Sequence, residues 1–169
     1  MADADYKFVA STGSGYTGYG GPINGDYTTG TSDMGLFDDI SPSEAQDGYT
    51  DYRCLYLRYV GGTSATGCVA WFTNVAIDQG SISVATGEFN TAADYIGPPG
   101  TGVPSNVGTF TNITTYNSRA AGLDVGTGND VAMVSGDYRV LWLKRVIPSS
   151  SPGDSDEHYY INFGGESTS

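Results

Sequence analysis

Few residues in this chain of 169 are of types that do chemistry, and their spacing decides which kinds are open to it. His158 is the single histidine, and it follows Asp154, Asp156 and Glu157. A serine hydrolase needs such an imidazole beside an activated serine. The serines nearby, Ser149 to Ser151 and Ser155, lie in SSSPGDSDE, which carries no nucleophile-elbow pattern and reads as a solvated turn before a strand. DSDE (154–157) offers hard oxygens to Ca²⁺ but lacks the longer spacing of an EF-hand loop. GSGYTG (13–18) matches G-x-G-x-x-G. A dinucleotide site needs a helix directly after that motif, to hold the pyrophosphate on its amides. YGGPING follows instead and cannot be helical, so the stretch reads as a flexible arm. Asp38, Asp39, Glu44 and Glu88 are nominal partners for a glycosidase carboxylate pair, but no spacing sets two of them across a cleft. Asn112-Ile113-Thr114 fits a glycosylation sequon, read as chance because no secretory signal is visible at the start. The expectation is a non-enzymatic chain with no catalytic, cofactor-binding or metal-binding residues.

The basic residues are more concentrated. DYRCLYLRYV (51–60) has a near double in DYRVLWLKRV (137–146), identical at six of ten positions with a constant offset of 86. The pair holds Arg53, Arg58, Arg139, Lys144 and Arg145, five of the seven basic residues. At strand period, Leu55, Leu57 and Tyr59 share a face with Arg53, while Tyr52, Cys54, Tyr56 and Val60 share the other with Arg58. Neither face is cleanly polar, so the strand is central, with something packed on each side. Two neighbouring central strands selected for one environment explain the echo better than an ancient duplication. The cations then pair with acids across a sheet or an interface, their stems covering apolar surface.

Those strands need a frame. High Tyr, Val, Thr and Gly with only 15% charged residues indicates an all-β fold, a β-sandwich or jelly roll of about seven to eight strands, in a single domain over 1–169. Further strands are expected at 5–11, 68–77, 81–87, 109–117 and 158–166, with 131–136 leading into the second echo strand. TNVAIDQGSISVA reads as a hairpin broken at Asp78-Gln79-Gly80. Residues 97–108, with three prolines, make a rigid loop. SPSEAQDG (41–48) specifies one helical turn: Ser41 caps, Pro42 takes the first position, Glu44 completes a capping box and Gly48 stops it. Residues 12–35, rich in Gly and carrying Tyr16, Tyr19 and Tyr27, make an extended arm or loop suited to ordering on a partner. Cys54 and Cys68 would face each other if a tight hairpin turned at Val60-Gly61-Gly62, while a wider turn over Gly61 to Gly67 would separate them; buried free thiols are expected.

Nine acids against one base in residues 1–51, within a net charge of −12, disfavour nucleic acid, whose phosphates require clustered Lys and Arg. No apolar run is long enough for a membrane span, so no membrane partner is expected. The segment LFDDISPSEAQDGYTDYRCLYLRYV resembles virion structural proteins of tailed bacteriophages: an acidic-apolar lead, a short S-x-x-E-A turn ending in Gly, then a strand opening Asp-Tyr-Arg-Cys. SGDYRVLWLKRVIPSSSPGDSDEHYYINFGGES is similar to the closing hairpin of such proteins. Together these cover about a third of the chain, and they contain no catalytic motif. The resemblance implies a virion β-sandwich made in host cytoplasm. Its partners would be the major capsid protein and copies of itself, with a trimer as the implied assembly, in the manner of a capsid decoration (cement) protein. The alternatives are a tail, baseplate or fibre module, and a carbohydrate-binding β-sandwich. For the last, Trp71 and Trp142 fall inside apolar strands and are expected to be poor stacking platforms.

Overall fold

The computed structural model describes residues 6–10, 27–28, 37, 39–78, 80–97, 100–126, 132–152 and 158–167. The chain is all-β, as its composition requires. Its strands are β1 (Tyr6–Ala10), β2 (Tyr27–Thr28), β3 (Tyr49–Tyr59), β4 (Ala65–Ala76), β5 (Ser81–Phe89), β6 (Thr111–Asn112), β7 (Leu123–Asp124), β8 (Tyr138–Ile147) and β9 (His158–Ser167). Two antiparallel sheets form, ordered β2-β1-β3-β8-β5-β6 and β7-β4-β9. The one α-helix among the described residues, α1 (Pro42–Asp47), is built as its sequence dictates. Ser41 Oγ accepts from the Glu44 amide, the Ser41 amide donates 2.8 Å to Glu44 Oε2, and Gly48 leaves the helix at φ 82°. The β8–β9 loop closes on its end, where the Ser150 and Ser151 amides donate to the Gln46 and Ala45 carbonyls.

The echo strands are neighbours. β3 and β8 pair antiparallel along their length, with Leu55 opposite Leu141 at the centre. Around that pair the repeat becomes a local two-fold relation. Arg53 faces Leu143 as Arg139 faces Leu57, and Tyr52 faces Lys144 as Tyr138 faces Arg58. Both faces are covered, which is why both are apolar. Leu55, Leu57, Tyr59, Leu141 and Leu143 meet Ile82 and Val84 of β5 and, from the other sheet, Cys68, Ala70 and Phe72. On the reverse face, Tyr52, Cys54, Tyr56, Val140 and Trp142 lie beneath Ala93, Ile96, Val107 and Phe110. The proline-containing loop therefore forms a third layer. Tyr56 Oη accepts the Ala93 amide at 2.6 Å, and the Gly100 carbonyl accepts the Tyr52 amide at 2.8 Å.

Two expectations are corrected. β4 and β5 belong to different sheets, so 73–85 is an arch between layers and not a hairpin. Gly80 makes that crossing at φ 83°, where a Cβ would stand 1.9 Å from the Val146 carbonyl oxygen. The strand expected at 109–117 stops after Asn112, because Asn112 Oδ1 captures the Thr114 amide and hydroxyl and turns 113–115 into a 3₁₀ turn with Ile113 buried beneath it. Within 12–35, Tyr27 and Thr28 pair with β1 as the outer strand of the large sheet. The rest of that stretch, including Tyr16, Tyr19 and the 13–18 glycine motif, lies outside the described residues.

Candidate functional site

The ends of the β3–β8 pair hold the cations, and the two ends differ. At the first, Asp51 stands opposite Arg145, with Arg53 two residues along on the same face. Arg145 Nε and Nη2 donate to the two Asp51 carboxylate oxygens at 3.0 and 3.1 Å, a bidentate clamp. Arg53 Nη1 lies 3.3 Å from Asp51 Oδ2 and donates to the Tyr52 carbonyl at 3.0 Å. All three side chains are shut from solvent, at 1, 2 and 4% exposure for Asp51, Arg53 and Arg145. Burying guanidinium is tolerable only with such pairing. The Phe37 ring covers both cations, 4.7 Å from Arg145 and 5.5 Å from Arg53. The expected pairing of strand cations with acids holds for these two, and the acid comes from the echo motif itself.

At the second end the same motif behaves otherwise. Asp137 is the counterpart of Asp51 under the local two-fold, yet its carboxylate turns away, accepting from the Val134 amide at 2.8 Å and from Asn90 Nδ2 at 2.7 Å. Asn90, at φ 53°, returns Oδ1 to the Tyr138 amide. This network pins the turn entering β8 to the turn leaving β5. Arg139 is left half-buried, with its Nε enclosed and without an acceptor.

A third feature lies on the outer face of the small sheet. Trp71 faces Asn162 and Thr73 faces Tyr160 in the β4–β9 register. Trp142 is buried as expected, but Trp71 is not. Its six-membered ring lies over Gly164, where a Cβ would stand 3.3 Å from it, and the Arg119 guanidinium borders the same glycine and donates to the Gly165 carbonyl. Asn162 Nδ2 bonds Thr73 Oγ1 at 2.9 Å, and Tyr160 is 52% exposed beside this strip. Alternation along β4 could have marked Trp71 as outward, since Ala70 and Phe72 point to the core.

The remaining nominees are dispersed. His158 opens β9, exposed, opposite Ala76; Asp154 to Glu157 lie outside the described residues, as does Asp38. Ser151 Oγ bonds the Pro148 carbonyl, which makes it a turn residue. Glu44 is engaged in its capping box, which holds its carboxyl below the usual value. Asp39 is exposed, and Glu88 lies on the exposed side of β5. Asn112 of the sequon is occupied in its own turn. Cys54 and Cys68 form no disulfide and are buried in different clusters, Cys54 on the far face of the large sheet, and burial pushes the Cys54 thiol far up. Among the described residues, no three of His, Cys, Asp and Glu converge as metal ligands. Comparison with protein-family models, with curated proteins and with solved structures found no match to the chain.

Proposed function

We propose that this chain is a non-catalytic structural protein of a tailed-bacteriophage virion, a decoration protein that binds and stabilises the major capsid protein lattice. The observation carrying this reading is where the virion-like segments place their polar groups. Asp51, Arg53 and Arg145 all belong to those segments, and their charges are consumed in one enclosed ion cluster inside the sandwich. Such an arrangement suits a rigid lattice component, whose chemistry is cohesion and adhesion. Four exposed apolar residues among those described, Tyr95, Val103, Val134 and Tyr160, supply adhesive surface of the kind that subunit junctions bury.

The test is to locate the chain on purified particles of the phage whose genome encodes it, using gold-labelled antibody and electron microscopy. Label over the capsid is the expected result. Label on the tail moves the protein to a tail, baseplate or fibre module, and its absence from particles overturns the proposal. A second reading, carbohydrate binding, draws on the outward Trp71 and Tyr160 with Asn162 between polar neighbours, since sugar rings stack on aromatic faces beside hydrogen-bonding groups. A glycan array compared between the native chain and Trp71→Ala examines it. Binding lost in the variant would favour this reading over the virion one.

A further inference from the structure

The local two-fold of the β3–β8 pair sets up an internal comparison. At one end Arg53 has a carboxylate two residues before it on its own strand, Asp51, and the charge is neutralised. At the other end the equivalent residue, Asp137, is committed to the Val134 amide and Asn90. Asp124, on β7 of the facing sheet, bears on Arg139 electrostatically, but it accepts from the Gly126 amide and does not reach ion-pairing distance. Among the described residues no other carboxylate does so either. Among the described residues, the only bond to the Arg139 guanidinium is a long one, 3.5 Å from Nη2 to Thr86 Oγ1. Burial meanwhile strips water from this charge and lowers its pKa.

This cation lines an open depression of about 550 Å³, with Thr86, Glu88, Phe89 and Asn106 among its walls. Phe89 is opposite Arg139 in register at the β-bulge of β5 and supplies an apolar side wall. Glu88 is exposed at the rim.

We propose that this depression is a carboxylate-binding subsite, in which the acidic side chain of a protein partner occupies the position that Asp51 fills at the opposite end. Arg139 donates from its terminal nitrogens to the incoming carboxylate, since its Nε is enclosed. Thr86 Oγ positions the guanidinium. The opening is wide and shallow, which suits a side chain projecting from a protein surface better than an enclosed small molecule. Glu88 opposes any anion that enters, so affinity for an isolated carboxylate is weak, and selectivity comes from the planar guanidinium. The site does not depend on the virion reading.

Side-chain NMR of the Arg139 Nε–H group in the full chain tests this directly. The probes are acetyl-Gly-Glu-Gly-amide and glutarate, with acetyl-Gly-Gln-Gly-amide and sodium chloride at matched ionic strength as controls. The expected result is saturable displacement of the Arg139 resonance by the Glu peptide and by glutarate, and none by the controls. Arg139→Lys, followed by the backbone amides of Thr86 and Phe89 because it lacks the guanidinium signal, weakens binding about tenfold, since the fork is replaced by a point charge. Glu88→Gln strengthens it about threefold by removing the rim charge, and this variant keeps the proposal testable if Arg139 variants fail to fold. Saturation by glutarate without the peptide would reassign the ligand to a free small acid and overturn the side-chain assignment. An equal response to the Gln peptide or to chloride, or no response to either carboxylate, overturns the site itself.

Discussion

Asp51 is the residue on which two buried guanidinium groups depend. Exchanging it for asparagine keeps the size and removes the charge, so Arg53 and Arg145 lose the carboxylate between them. Asp51→Asn is expected to cost about 3–5 kcal/mol, read as a lower urea midpoint at unchanged slope. Glu44 supplies a smaller, pH-dependent contribution. Ser41 holds its carboxyl below the ordinary value of 4.5, chiefly by the side-chain hydrogen bond. A depressed folded pKa stabilises above the unfolded value, and that contribution disappears as pH falls through the lowered one. Ser41→Ala is therefore expected to lose about 1 kcal/mol at neutral pH. The gap between variant and native chain should narrow in acid below 4.5, followed by urea unfolding across pH.

At the scale of elements, the decisive feature is a central strand pair covered on both faces by different materials, a second sheet on one and a loop on the other. Among the loop's fastenings is the bond from the Ala93 amide to Tyr56. Tyr56→Phe removes the acceptor of the Ala93 amide while leaving the ring in place. It should cost about 1 kcal/mol. Faster hydrogen exchange should appear at Ala93, with little change at core amides of β8. Much of this scale was legible. The capping box of α1 formed because all its partners lie within four residues, and the two faces of β3 followed from period 2. The pairing of β3 with β8 was inferable from their shared pattern. The β4–β5 arch was not, because Asp78-Gln79-Gly80 suits a hairpin and only the pairing of β4 with β9 and of β5 with β8 shows the chain crossing layers. The early end of β6 was missed because Asn112, read as a sequon, turns the backbone with its own side chain.

At the scale of the molecule, a net charge of −12 acts between copies more than within one. Repulsion keeps copies apart at neutral pH and fades as carboxylates protonate. Light scattering against pH should show greatest self-association near pH 4.1, with added salt promoting it at pH 7. The amino-acid order alone determined the all-β class, the helical turn and which residues of each long strand share a side, since those follow from local sterics and alternation. Only the tertiary structure decided which cation received a carboxylate. Asp51 and Asp137 open the same motif, yet one closes an ion cluster and the other caps a turn. The difference lies in what the opposing strand and the neighbouring loop bring within reach, and no local pattern encodes that.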